Sequence, residues 1–282
     1  MDYLNYNGKT LPADSLLVGA DNRGLRFGDG LFETIKYKHH QLILLDEHLA
    51  RLWNGMKALQ FDIPKLFTPD VIEAHILSLL KKNNHANARI RLAIIRGNGG
   101  LYDASSNAPN YIIQTWPIPE SNGILNENGL QLCIYRDAVK AIDSFSNLKH
   151  NNYLPYFMGA QYAKTNKCND AIILNQSQRI CDTTIANLFA IKENEIYTPS
   201  LSEGCVAGVM RHFIIDELKK MGHTVIEKEM TEKDLLEAEE IFLTNSIYNI
   251  RWVGSIGNKM YKQHRINEIY SQLQQTNRFI LC

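Results

Sequence analysis

Five short stretches of this sequence carry side chains able to do chemistry. In FSNLKHNNYL, residues 145–154, Lys149 stands ahead of a helix-like run, at an expected strand-to-helix junction. A lysine amine acts as nucleophile or base when burial or nearby cations make its charge costly. The same side chain can equally run along an apolar surface and leave its ammonium in water. In EGCVAGVMRHF, residues 203–213, a glycine-rich turn opens a helix. The N–H groups of a first helical turn have no intrahelical partner, and with the helix dipole they bind anions. No Lys-Ser/Thr pair follows, and GxGxxG spacing is missing, so neither nucleotide fingerprint applies. In RICDTTIANLFAI, residues 179–191, Asp182 falls in a polar stretch between two expected strands. An acid there caps a turn or pairs with a protonated ring nitrogen. DNRGLRFGDGLFET, residues 21–34, is a loop dense in Gly and Arg that runs into a strand. FLTNSIYNIRWV, residues 242–253, ends a strand in Thr, Asn and Ser, which reach a phosphate or simply terminate the strand.

The elements that must hold these residues follow from periodicity and turn chemistry. YLNYNGKTL reads as a hairpin turning at Asn7-Gly8. GLFETIKYKHHQLILL reads as two strands around a His-His-Gln turn. DEHLARLWNGMKALQF has helical spacing with Asp46 as N-cap, and TPDVIEAHILSLLKKNN is a second helix starting at Thr68 or Asp70. ARIRLAIIRG and NYIIQTWPI are strands. The first half is therefore a mostly antiparallel sheet with two helices. PIPESNGILNENG, rich in Pro, Gly and Asn, is the expected boundary, giving a domain over 1–118, a linker over 119–129 and a second domain over 130–282. The second half alternates short strands (LQLCIYRDA, DAIILN, LFAIK, EIYTP, TVIEKEM, EIFLTNS) with helices at YLPYFMGAQYAKTN, GVMRHFIIDELKKMG, TEKDLLEA and NEIYSQLQQTN. Many short strands with occasional helices suggest an α+β or barrel-like second domain.

The totals exclude several function classes. The chain has 282 residues, 45% hydrophobic and 21% charged, with 30 basic and 30 acidic residues. A neutral chain without a basic block points away from nucleic acid and anionic membranes. Cys133, Cys168, Cys181, Cys205 and Cys282 are scattered and odd in number, which suits a reducing cytoplasm and implies neither a disulfide framework nor a metal site. No signal peptide and no membrane span is expected.

Together the motifs DNRGLRFGDGLFET, HLARL, RGNGG, LKHNNYL, ICDTTIANLF, GCVAGVMR and FLTNS resemble the fold-type IV (class IV) pyridoxal-phosphate enzymes, in that family's order. The family includes branched-chain and D-amino acid aminotransferases and 4-amino-4-deoxychorismate lyases. The resemblance implies a two-domain α+β fold, with a smaller N-terminal α/β sandwich and a larger C-terminal barrel-like domain. It implies a homodimer and the cofactor pyridoxal 5′-phosphate. Lys149 matches the lysine that forms the Schiff base and shuttles the proton, and Arg51 matches the arginine on the cofactor phosphate. Val209 and Met210 match residues whose backbone cradles that phosphate, and Asn245 and Ser246 match a further contact. Asp182 matches the ring-nitrogen acid, although the family usually has Glu there. Phe32, Arg91 and Arg251 are the candidate substrate contacts. FGDGLFET is similar to the lyase and D-amino acid branches, whereas Arg91 in IRL is similar to the branched-chain substrate region. RGNGG lacks the arginine that often follows it in the lyases. The implied reaction is transamination between an amino acid, branched-chain ones included, and a 2-oxo acid. A lyase releasing 4-aminobenzoate and pyruvate is the alternative, and a non-catalytic homologue the third reading.

Overall fold

The computed structural model describes residues 2–276. Cys282, and Asn277 at the end of the expected last helix, lie outside them. The chain divides into two compact units. One runs to Asn122 and includes Leu148–Asn152, and the other takes Gly123–Asn147 and resumes at Tyr153.

The first unit begins with β1 (Tyr3–Tyr6) and β2 (Lys9–Pro12). Asn7 and Gly8 between them have φ of 51° and 85°, the left-handed pair that a two-residue hairpin needs. The loop expected next contains a short helix, α1 (Arg23–Phe27), which Asn22 caps by accepting from the Leu25 N–H. Strands β3 (Gly30–Lys38) and β4 (Gln41–Leu42) turn at His39-His40 alone, and Gln41 is already paired with Lys38. Helices α2 (Leu45–Ala58) and α3 (Pro69–Lys82) follow, then β5 (Ala88–Arg96) and β6 (Pro109–Pro117). Thr68 caps α3, with Pro69 at its first position. Asp46 does not cap α2. Left-handed Leu44 starts that helix without a side-chain cap, and Asp46 instead lies in the first turn with Glu47, where a carboxylate meets the positive end of the dipole. All pairings are antiparallel, in the order β2-β1-β6-β5-β3-β4. Leu49, Leu52 and Met56 of α2 and Ile72, Ile76 and Leu79 of α3 form one core with Leu31, Ile35, Ile90, Leu92, Ile94 and Ile113 of the sheet.

In the second unit β7 (Leu130–Lys140) is followed by α4 (Leu154–Thr165), β8 (Asp170–Asn175), β9 (Ile180–Thr183), β10 (Asn187–Lys192) and β11 (Glu195–Pro199). Then come α5 (Val209–Lys220), β12 (Thr224–Lys228), α6 (Glu232–Glu237), β13 (Glu240–Asn245), β14 (Asn249–Ile256), β15 (Lys259–Met260) and α7 (His264–Gln274). The main path of this sheet is β12-β11-β10-β13-β14-β7-β8-β9. Strands β9 and β10 are joined by residues 184–186 yet sit five places apart in that order. A flat sheet would separate them by about 24 Å, beyond the reach of about 15 Å for four residue steps, so the sheet must curl. This is the α+β architecture with a half-barrel second unit. Among the described residues no helix is long and apolar enough to cross a membrane.

Two local expectations need correcting. Lys149 is not at a strand end: β7 stops at Lys140 and α4 starts at Leu154, so the lysine lies within the connection. Asp182 is not between strands but in β9, paired with Ile173. The segment after FLTNS is a hairpin, so Arg251 belongs to β14 and pairs with Leu243.

Candidate active site

In the first unit the Lys149 segment meets β3 in an isolated antiparallel bridge, His150 opposite Leu31. The Phe32 N–H donates to the Lys149 carbonyl at 2.9 Å, and the Asn151 N–H donates to the Gly30 carbonyl at 3.0 Å. Gly30 permits this approach, since a Cβ there would lie 2.2 Å from the Ile94 carbonyl oxygen and 2.6 Å from Asn151 Nδ2. Lys149 Nζ sits 4.4 Å from the centre of the buried Phe32 ring, and the Arg91 guanidinium 4.3 Å from the same ring. The structure thus brings Lys149, Phe32 and Arg91 together around one aromatic ring, whose faces favour cations.

Arg51 belongs to a second cluster in this unit. Its Nε donates to Glu33 Oε1 at 2.8 Å and its Nη2 to Oε2 at 2.5 Å. His48, one helical turn earlier, meets Glu33 Oε2 through Nδ1 at 2.6 Å. Burial would raise the Glu33 carboxyl, but the Arg51 charge and the His48 and Arg51 hydrogen bonds hold it down at about 2. Burial pushes His48 below its ordinary value against the pull of Glu33, with the Arg51 and Lys149 charges adding to the fall. The imidazole is therefore neutral, with its proton on Nδ1 facing the carboxylate. Its buried Nε2 has no hydrogen-bond partner. Sequence reasoning missed Glu33 and His48 as partners of Arg51, although HLARL places His48 and Arg51 on one helix face.

The second unit holds Asp182. Its Oδ2 accepts from the Tyr156 hydroxyl at 2.9 Å and from the Val206 N–H at 3.1 Å, with Lys140 Nζ at 3.7 Å. Its Oδ1 is buried without a hydrogen-bond partner. Burial, then the Asp182 charge, pushes the Tyr156 phenol well above its ordinary value, so it stays a donor. Neither Lys140 nor Tyr156 was expected here, because both are remote in sequence and reach Asp182 only through the folding of β7, α4 and β9.

Val209 and Met210 are the first two residues of α5, whose N-cap Gly208 supplies no capping side chain. A Cβ at Gly208 would lie 2.0 Å from Asn187 Oδ1, so only glycine lets the chain turn here. Asn187 is itself fixed, donating to the Val206 carbonyl at 2.9 Å. Asn245 shapes a turn, its Oδ1 accepting from the Ile247 and Tyr248 N–H groups at 3.0 and 2.8 Å, and Ser246 lies within that turn. The neighbouring Thr244 hydroxyl is buried without a hydrogen-bond partner. Arg251 stacks on Tyr248 at 3.8 Å, and its buried Nε is likewise unpartnered. A buried carboxylate oxygen lacking a donor suits a protonated ring nitrogen, and an uncapped helix start suits a phosphate.

Residues 30–256 match the family model for amino-transferase class IV. The chain belongs to the class IV aminotransferase family. It is 31% identical over 248 residues to an aminodeoxychorismate lyase of Vibrio harveyi, covering 87% of this chain and 89% of that one. It is 28% identical over 272 residues to a putative branched-chain-amino-acid aminotransferase of Methanocaldococcus jannaschii, covering 95% and 93%. A solved T.th. branched-chain amino acid aminotransferase with pyridoxamine 5′-phosphate superposes with a TM-score of 0.83, at 21% identity, over 97% of this chain and 93% of that chain. That last likeness concerns the fold. The family resemblance read from the motifs and the two-domain α+β architecture agree with these matches.

Proposed function

We propose that this chain is a pyridoxal-5′-phosphate-dependent aminotransferase that moves an amino group between an amino acid, branched-chain ones included, and a 2-oxo acid. The observation that carries the reading is Asp182 Oδ1, buried and without a hydrogen-bond partner. Membership of the family and the relative solved with pyridoxamine phosphate support the choice of cofactor. Asp182 would hold the ring nitrogen, the N–H groups of Val209 and Met210 with Arg51 and Ser246 would hold the phosphate, and Lys149 would hold the aldehyde carbon. When bound, the cofactor withdraws electrons from the substrate Cα and so makes its proton removable.

The protein's own residues then have separable tasks. Lys149 Nζ takes the proton from the substrate Cα as general base. The backbone bond from Phe32 to Lys149 fixes where that amine starts. Glu33 holds the Arg51 guanidinium through two N–H groups, which orients it before any anion arrives. Arg251 and Arg91 offer cations for a substrate carboxylate. Asp182 Oδ2 accepts from the Val206 N–H and the Tyr156 hydroxyl, which leaves Oδ1 to accept from a ring N–H.

A second reading, the 4-amino-4-deoxychorismate lyase, is favoured by the 31% identity to the Vibrio harveyi lyase. There the same proton removal would be followed by loss of a substituent, giving 4-aminobenzoate and pyruvate. One assay separates the two. The yellow enzyme is mixed with a panel of L- and D-amino acids, its visible band is followed, and a 2-oxo acid is then added. Bleaching and recovery support transfer, whereas pyruvate release from aminodeoxychorismate with no response to the panel favours the lyase. A protein that takes up no cofactor at all refutes both. Like other members of its family, the enzyme is proposed to work as a homodimer.

A further inference from the structure

Lys140 is a buried cation to which the mechanism above gives no task. It ends β7, whose pairing with β8 jumps from Tyr135–Ile173 to Lys140–Asn175. Residues 136–139 thus bulge opposite Leu174 alone, and the ladder resumes at the lysine. The Lys140 side chain is 7% exposed, so its ammonium does not reach water by snorkelling. Nζ has no hydrogen bond. Asp182 Oδ2 lies 3.7 Å away, and that oxygen is already filled by the Tyr156 hydroxyl and the Val206 N–H. The Tyr156 ring centre is 5.1 Å from Nζ. The Cys181, Tyr156 and Cys205 side chains beside it carry no charge. Burial and then the Asp182 carboxylate push the Cys181 thiol and the Tyr156 phenol well above their ordinary values, and the Cys205 thiol up to about 12. The ammonium and the carboxylate therefore balance each other within this cluster.

We propose that Lys140 is a positioning residue that acts on the cofactor only through Asp182. It is the standing counter-charge of that carboxylate, and it weakens the hold of Asp182 on a ring N–H. The inference rests on the reading that Asp182 Oδ1 takes the ring nitrogen. A protonated ring and the ammonium then share one carboxylate from its two oxygens, and two like charges so placed repel each other. Lys140 thus faces Asp182 before the ring arrives and moderates its hold on the ring proton afterwards. An unaccompanied buried carboxylate would instead be costly in the empty state.

The test is calorimetric titration of the cofactor-free protein with pyridoxamine 5′-phosphate and with its analogue carrying CH in place of the ring nitrogen. Wild type is compared with Lys140→Met, Lys140→Gln and Lys140→Arg. Lys140→Gln keeps the proposal testable if the Met variant fails to fold. The two neutral variants are expected to bind pyridoxamine phosphate roughly tenfold more tightly than wild type, from loss of the repulsion, and the carbon analogue with unchanged affinity. Lys140→Arg is expected to keep the wild-type ratio of the two affinities. Equal changes for both ligands, or weaker binding of pyridoxamine phosphate alone, would overturn the inference and leave Lys140 a structural residue. A wild-type protein that binds neither ligand refutes the cofactor reading itself, and the inference with it.

Discussion

Lys149 and Phe32 are joined twice: the Phe32 N–H donates to the Lys149 carbonyl at 2.9 Å, and the Lys149 ammonium lies 4.4 Å from the centre of the Phe32 ring. Main chain and side chain of one strand residue therefore set both where the lysine begins and where its amine rests. Phe32→Leu keeps the backbone bond and removes the ring. Turnover is expected to fall on the order of tenfold through a loosened amine, with a small loss of melting temperature. Steady-state kinetics beside a melting curve checks this, and an unchanged kcat would remove the ring from the account.

The ring-nitrogen role proposed for Asp182 can be tested by changing its charge and its length separately. Asp182→Asn keeps the shape and removes the charge. It is expected to lower kcat by about a hundredfold or more while the protein still takes up cofactor through its phosphate contacts. Asp182→Glu must find room for a methylene among Tyr156, Val206 and Lys140, and is expected to cost about 1–3 kcal/mol of stability. Kinetics and denaturant unfolding measure the two. An Asn variant as fast as wild type would mean that the acid does not serve the ring.

The Glu33 cluster makes a pH prediction. The Glu33 carboxyl lies at about 2 in the folded protein against an ordinary 4.5. A lowered folded value means that Glu33 contributes its full stability above the unfolded value. That contribution, on the order of 3 kcal/mol, is lost as the pH falls from about 4.5 towards 2. Unfolding curves between neutral pH and this range should show the loss in wild type and a flatter acid limb in Glu33→Gln. The variant is also expected to be less stable at pH 7, because Arg51 loses its carboxylate.

Gly208 tests the helix start. An alanine Cβ would meet Asn187 Oδ1, which is tied to the Val206 carbonyl and cannot easily move away. Gly208→Ala is expected to shift the first turn of α5 and weaken cofactor affinity by about tenfold or more. Titration of the cofactor-free variant reads this directly, and wild-type affinity would argue that the turn holds no phosphate.

The chemistry was easier to read in the sequence than its supports were. LKHNNYL, ICDTTIANLF and GCVAGVMR are local strings, and their order was enough to name the family. The helices α2, α3 and α5 showed themselves through periodicity, and Asn7-Gly8 through its turn type. Strand β9 did not, because four residues containing an aspartate become a strand only by pairing with Ile173 and its neighbours. Helix α1 was hidden by glycines, and Leu44 gives no sign in its side chain that it will adopt a left-handed φ of 53°. The partners of the site residues were hidden for one shared reason. Glu33 with Arg51, and Lys140 and Tyr156 with Asp182, are tertiary pairs, and such pairs leave no spacing for a single sequence to display.

The central claim is that Lys149 is the residue that binds the cofactor covalently. Borohydride reduction of the protein with pyridoxal 5′-phosphate, followed by peptide mass mapping, tests it most directly. A phosphopyridoxyl label is expected on the peptide containing Lys149, with loss of both label and turnover in Lys149→Ala. A label on another lysine, or a Lys149→Ala protein that turns over substrate at near wild-type rate, would contradict it.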